Sequence, residues 1–376
     1  MPLTKVLTVI GTRPEAIKLA PVVRALRSRP DRFVSTVCLT AQHREMADEA
    51  LAPFEVTPDY DLDIMSPGQA LAAVTSRAVE RLDTVMAEAR PDVVLVQGDT
   101  TSAFCGALAA FYHRIQVGHV EAGLRTGDKF APYPEEMNRR LVGALADLHF
   151  APTRAAAEAL RREGVPHDAI FETGNTVIDA LLYVRERIRQ RPPDIDPRVL
   201  AAIDGQSMVL VTGHRRESFG EGFENICRAI REVAEASPGT TFVYPVHLNP
   251  NVREPVGRIL RDHPRIVLIE PLPYAPFVWL MDRATVVLTD SGGVQEEAPS
   301  LGKPVLVMRE TTERPEGIAA GNARLVGTGK QAIVDALMDL LLHDEARARM
   351  TSVANPYGDG HASERIVEAL AGTWRT

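Results

Sequence analysis

Short runs of β-branched and aliphatic residues recur along the chain, each followed by a longer segment with helical spacing. In the first half the runs are Val6 to Ile10, Ser35 to Thr40, Val93 to Gln97, Gln116 to Val120 and Asp147 to Ala151. In the second they are Met208 to Thr212, Thr241 to Val246, Arg265 to Glu270, Val286 to Thr289 and Val305 to Arg309. Runs that are apolar throughout, rather than alternating, fit strands covered on both faces, as in a parallel sheet with crossover helices. The repeated rhythm predicts an α/β protein of two doubly wound, Rossmann-type domains. A long charged helix is expected from Thr176 to Gln190, ending in Arg191-Pro192-Pro193-Asp194. The expected division is therefore an N-terminal domain over 1–170 and a C-terminal domain over 171–361. The remaining 362–376 has helical spacing with no strand after it, and is expected to pack back on the first domain.

Composition narrows the classes of function. The chain has 376 residues, 45% hydrophobic and 24% charged, which is globular rather than disordered. Its 42 Lys+Arg against 50 Asp+Glu leave a net charge of -8. That excess argues against broad nucleic-acid or anionic-membrane binding, and still allows one local cationic pocket for a phosphate. The longest apolar stretch, Ala103 to Tyr112, is about half of the ~20 residues needed to span a bilayer. The N-terminus reads as a strand meeting Gly11-Thr12-Arg13-Pro14 rather than a signal peptide, so a cytoplasmic protein is expected. Cys38, Cys105 and Cys227 are widely separated within apolar segments, which predicts buried reduced thiols. The histidines lack metal-ligand spacing, so no metal is expected.

Open α/β sheets bind ligands beyond the carboxyl ends of their strands. Arg13, Gln42, His43, Asp99, Glu121, His214, His247 and Ser291 all follow proposed strands, and a cleft between two such domains is the expected site. Ser291-Gly292-Gly293 opens a helix, where backbone N–H groups can approach a diphosphate and Glu296 or Glu297 can accept from ribose hydroxyls. Arg13, Lys18 and the run His214-Arg215-Arg216 offer cations for a departing diphosphate. Asp99, Glu121 and Glu135 are carboxylates suited to acid and base roles on one sugar ring. Together they suggest a nucleotide-sugar diphosphate as substrate. Gly327-Thr328-Gly329-Lys330-Gln331-Ala332 matches a lax dinucleotide pattern, but no strand is expected after its helix, and Asp61-Leu62-Asp63 reads as a solvated loop.

Six segments carry a resemblance. They are Gly11-Thr12-Arg13-Pro14-Glu15, Thr40-Ala41-Gln42-His43-Arg44-Glu45, Gln97-Gly98-Asp99-Thr100, Gly118-His119-Val120-Glu121-Ala122-Gly123-Leu124-Arg125, Thr212-Gly213-His214-Arg215-Arg216-Glu217 and Thr289-Asp290-Ser291-Gly292-Gly293-Val294-Gln295-Glu296-Glu297. As a set they resemble the non-hydrolysing UDP-N-acetylglucosamine 2-epimerase family, and the likeness runs from Lys5 to about Leu370. The resemblance implies a GT-B-like pair of Rossmann-type domains, a homodimer, and neither a nicotinamide cofactor nor a metal. It implies reversible conversion of UDP-GlcNAc to UDP-ManNAc for bacterial surface polysaccharides, by anti elimination of UDP to 2-acetamidoglucal and re-addition. Asp99, Glu121 and Glu135 match the acids implicated in proton transfer and oxocarbenium stabilisation, with their division of labour left open, and His214 is a further catalytic candidate. Arg13, Lys18, His214, Ser291, Gly292, Gly293, Glu297 and Arg314 match UDP-contacting positions, and Phe277 matches one near the uracil. Gln42, His43, Glu136, Arg215 and His247 match positions that bind a second UDP-GlcNAc as activator in some bacterial members. Leu272 stands where relatives carry Gln, so a uracil contact there falls to the backbone. A GT-B glycosyltransferase, an epimerase acting on UDP-2,3-diacetamido-glucuronic acid and a non-catalytic sugar-nucleotide sensor remain as rival readings.

Overall fold

The computed structural model describes residues 2–40, 49–64 and 68–373; Gln42 and His43 lie outside them. The chain forms two compact units by its internal contacts, Met1–Tyr183 with Tyr357–Thr376, and Val184–Pro356. The first holds β1 (Thr4–Ile10), β2 (Phe33–Leu39), β3 (Tyr60–Asp61), β4 (Val93–Gln97), β5 (Gln116–Val120), β6 (Leu148–Ala151) and β7 (Ile170–Glu172) in the order β3-β2-β1-β4-β5-β6-β7. The second holds β8 (Ser207–Thr212), β9 (Thr240–Pro245), β10 (Ile266–Ile269), β11 (Val286–Thr289), β12 (Val305–Val307) and β13 (Ala323–Leu325) in the order β10-β9-β8-β11-β12-β13. Every pairing in both sheets is parallel. These are the two doubly wound, Rossmann-type sheets that a GT-B-like fold requires.

The apolar runs become strands because both faces are covered. All five residues of β4 are buried, and each such Val or Leu contributes roughly 2 kcal/mol over an exposed one. The helices between strands start on side-chain caps. The Thr100 hydroxyl accepts from Ala103 N at 3.0 Å to open helix Thr101–Tyr112, and the Thr153 hydroxyl accepts from Ala156 N at 3.2 Å to open Arg154–Arg162; such caps are worth about 1 kcal/mol each. Gly106 faces β4, where a Cβ would lie 2.9 Å from Val96 Cγ1, so glycine sets how closely helix and sheet meet. Asp61, expected in a loop, instead pairs with Leu39 at the sheet edge.

The contact boundary falls at Tyr183, later than 170, for two local reasons. β7 pairs with β6, and the first turns of helix Thr176–Gln190 bury Val177 and Ile178 against Tyr357. Helix Ala362–Thr373 packs on helix Arg13–Arg27. Its first turn is anchored where Ala362 N and Ser363 N donate to the Asp179 carboxylate at 3.2 and 2.7 Å. Cys38, Cys105 and Cys227 are buried and unbridged, and burial pushes each thiol up to about 12. Among the described residues no helix is long and apolar enough to cross a membrane.

Candidate active site

Each sheet reverses its winding at one point, between β1 and β4 in the first and between β8 and β11 in the second. Such switch points open a crevice beyond the strand ends, where ligands of this architecture bind. The loops that leave these strands are Gly11-Thr12-Arg13, Gly98-Asp99, Gly213-His214-Arg215 and Asp290-Ser291-Gly292. The motif residues are therefore placed by topology, one cluster per unit.

In the first unit Glu121 follows β5 with a φ of 62° and is 8% exposed. Its Oε1 receives Lys18 Nζ at 2.6 Å and Asn175 Nδ2 at 3.4 Å, while Gln97 Nε2 donates to Oε2. The left-handed backbone at Glu121 costs roughly 1 kcal/mol for a residue with a side chain, which its side-chain partners offset. Gly98, also left-handed, brings the Asp99 turn alongside: a Cβ on Gly98 would lie 3.6 Å from Glu121 Oε2. Asp99 is bonded through its carboxylate to Arg139 and through its carbonyl to Asn138 Nδ2 at 3.0 Å, both from helix Glu135–Leu145. That helix begins at Glu135, which is half-buried. Buried His119 supports the turn from below, where its Nε2 donates to the Gly98 carbonyl at 2.7 Å. Burial pushes that imidazole down to about 3, so it stays neutral and keeps this donor role near neutral pH.

Arg13 opens helix Arg13–Arg27 and is half-buried, and Lys18, expected to face a diphosphate, is ion-paired to Glu121 one turn further on. Glu15, between them, is buried and accepts from Thr100 Oγ1 at 2.7 Å and from Gly11 N at 3.1 Å. Burial raises this carboxyl to about 7 against those hydrogen bonds. Glu136 is fully buried, and its carboxylate takes Thr126 N, Gly127 N, Arg139 and Arg140 at 3.1 to 3.3 Å.

In the second unit two cations crowd the start of helix Gly292–Glu297. A Cβ on Gly292 would meet the Arg314 guanidinium at 3.8 Å and Arg215 Nη2 at 3.9 Å. Ser291 and Gly293 flank this turn and are partly exposed. Arg314 is paired with the buried Glu296, and its backbone N donates to Thr312 Oγ1 at 3.1 Å. Glu297 accepts from Tyr274 Oη at 2.5 Å, which ties this helix to Tyr274–Arg283, the helix carrying half-buried Phe277. Half-buried Leu272 lies in the loop just before it. His214 stacks on His247 with ring centres 5.1 Å apart and planes 14° apart. Burial lowers the His214 imidazole, Asp290 opposes that, and His247 and Arg215 add to it.

The structure thus joins Lys18 with Glu121, His214 with His247, and Arg215 and Arg314 with the start of helix Gly292–Glu297. Gln97 and Asp290 lie within the quoted motifs without a role assigned to them, and Asn138, Arg139, Asn175 and Tyr274 lie outside those motifs. Gln97 and Asp290 carried a signal, since each is a polar residue that closes an apolar run. The bonds that the others make to Asp99, Glu121 and Glu297 span tens of residues, where spacing gives no signal.

Residues 24–371 match the family model described as UDP-N-acetylglucosamine 2-epimerase. The UDP-N-acetylglucosamine 2-epimerase of Yersinia pestis is 58% identical over 369 residues, 97% of this chain and 98% of that protein. Among solved structures, the UDP-GlcNAc 2-epimerase from Neisseria meningitidis bound to UDP-GlcNAc superposes with a TM-score of 0.88 at 48% identity, over 98% of this chain and 100% of that one. A putative UDP-N-acetylglucosamine 2-epimerase from Listeria monocytogenes gives 0.93 at 48% identity, over 99% of this chain and 97% of that one. Strand order, placement of the motifs at both switch points and similarity across nearly the whole length agree: the chain belongs to the UDP-N-acetylglucosamine 2-epimerase family.

Proposed function

We propose that this protein interconverts UDP-GlcNAc and UDP-ManNAc by eliminating UDP to give 2-acetamidoglucal and adding it back with the opposite configuration at C2. The observation that supports this most is the Neisseria meningitidis relative, whose structure holds UDP-GlcNAc at 48% identity to this chain. The chemistry sets two demands. The C2 hydrogen is feebly acidic in the intact sugar, and departure of UDP creates oxocarbenium character at C1 that acidifies it. Stabilising the leaving diphosphate is then the main electrostatic task, and proton transfer at C2 the second.

The second unit meets the first demand. Arg215 and Arg314 converge on the backbone at Gly292, with Ser291 and Gly293 on either side, and His214 is tied to the same turn through Asp290. Glu297, held by Tyr274, receives the ribose hydroxyls, and Phe277 covers the uracil. Carboxylates of the first unit meet the second demand. Glu121, fixed by Lys18, Gln97 and Asn175, and Asp99, fixed by Arg139, act with Glu135 on the hexose. In this reading the enzyme is a cytoplasmic homodimer supplying bacterial surface polysaccharide synthesis. Exposed Phe111, Tyr112, Met137 and Leu141, on the packed helices Thr101–Tyr112 and Glu135–Leu145, support self-association. A second UDP-GlcNAc as activator meets Arg215 and His247, while Glu136 holds the backbone at Thr126 and Gly127.

The test is incubation with UDP-GlcNAc alone in D2O. Deuterium at C2 of both epimers is expected, without any acceptor sugar. Active enzyme that leaves C2 protiated, or that needs an acceptor, contradicts the proposal and favours a glycosyl transfer.

A further inference from the structure

We propose that Asp290 is a positioning residue for His214, holding its backbone with one carboxylate oxygen and directing its imidazole with the other, so that His214 meets the departing diphosphate as an imidazolium. The inference rests on the epimerase reading for the identity of the diphosphate.

Asp290 ends the apolar run of β11 and is 1% exposed. Its Oδ2 accepts from both His214 N and Arg215 N at 2.7 Å, which ties the loop after β8 to the turn that opens helix Gly292–Glu297. From the other side, Tyr244 Oη donates to the Gly213 carbonyl at 2.8 Å. The loop is therefore fixed at three consecutive residues. The remaining oxygen, Oδ1, is buried, makes no hydrogen bond to the described residues, and lies 3.6 Å from His214 Nδ1. A buried carboxylate oxygen without a donor is costly. A small rotation of the imidazole gives it one.

The groups facing His214 are Asp290 from the β11 end, His247 stacked from the loop after β9, and Arg215 beside it in the chain. His247 and Arg215 disfavour a charged ring, as does burial; Asp290 is the group that favours it. The protonation state matters because a neutral imidazole has one N–H. With that proton on Nδ1 facing Asp290, Nε2 is an acceptor and repels a phosphate oxygen, whereas an imidazolium donates from both nitrogens. Asp290 thus favours the doubly protonated ring, whose Nε2–H can donate to the departing diphosphate. The role is hydrogen-bond donation and requires no bond to form or break at His214.

The test uses the full chain with ring-labelled histidine, the His214 signals being identified by their loss in His214→Asn. In the unsubstituted protein the neutral His214 is expected as the Nδ1–H tautomer; an Nε2–H tautomer overturns the proposal without any variant being needed. In Asp290→Asn, which keeps a carbonyl for the two backbone donors, the imidazolium fraction at neutral pH is expected to fall about tenfold. The alkaline limb of kcat for UDP-GlcNAc is expected to move to lower pH in step with it. An unchanged His214 titration, or an alkaline limb that stays in place, overturns the assignment. Tautomer and titration are read without substrate, so they decide the placement of His214 even if the chain fails to turn over UDP-GlcNAc, a failure that strikes the epimerase reading alone.

Discussion

Glu121→Gln is expected to lower turnover of UDP-GlcNAc by about 10³-fold, the scale of losing a positioned acid or base. The same change removes the carboxylate that Lys18 Nζ, largely buried, meets at 2.6 Å. Breaking a buried pair by removing one partner destabilises by about 3 kcal/mol, so activity alone does not separate chemistry from folding. The double replacement Glu121→Gln with Lys18→Met does. Removing both charges restores much of the lost stability, measured by chemical denaturation, while turnover stays low. If the double variant regains turnover along with stability, Glu121 serves the fold rather than the reaction.

Gly123→Ala is expected to destabilise the protein by about 3 kcal/mol or more. Gly123 has a φ of +92°, and a Cβ there would sit 2.3 Å from the Ala156 carbonyl oxygen and 2.8 Å from its carbon. The obstacle is backbone of helix Arg154–Arg162, which cannot swing aside as a side chain does. Gly127 is the control: its φ is +85°, but nothing lies within 4 Å of its Cβ position. Gly127→Ala should cost only the conformational strain, about 1 kcal/mol. Denaturant midpoints that coincide for the two variants contradict the account of why this segment carries glycine.

The sheets were legible because parallel strands covered on both faces must be apolar along their whole length, and ten such runs stand out. β3, β7 and β13 were not, since two or three residues at or near a sheet edge make no pattern: Tyr60–Asp61 and Ala323–Leu325 carry a charge within their few positions. The strand β13 also shows why the Gly327-Thr328-Gly329 pattern misleads. A strand does precede it, but helix Lys330–Leu342 is followed by helix Asp344–Thr351 rather than a strand. Among the candidate site residues, Arg13, Asp99, Glu121, His214 and Gly292 could be singled out from their place after strands. What orients them could not, because Arg139 reaches Asp99 and Asn175 reaches Glu121 from distant parts of the chain through geometry that only the folded sheet creates. Lys18 illustrates the limit: its helix position was readable, its ion pair was not.

In the proposed mechanism, C1–O cleavage is what makes the C2 hydrogen removable. UDP-GlcNAc carrying ¹⁸O in the bond between C1 and the β-phosphorus tests it most directly. The account predicts that, as epimerisation proceeds, the label spreads from the bridging position into the non-bridging oxygens of the β-phosphate, because free UDP can turn before re-addition. Inversion at C2 with the label held entirely in the bridge would contradict it.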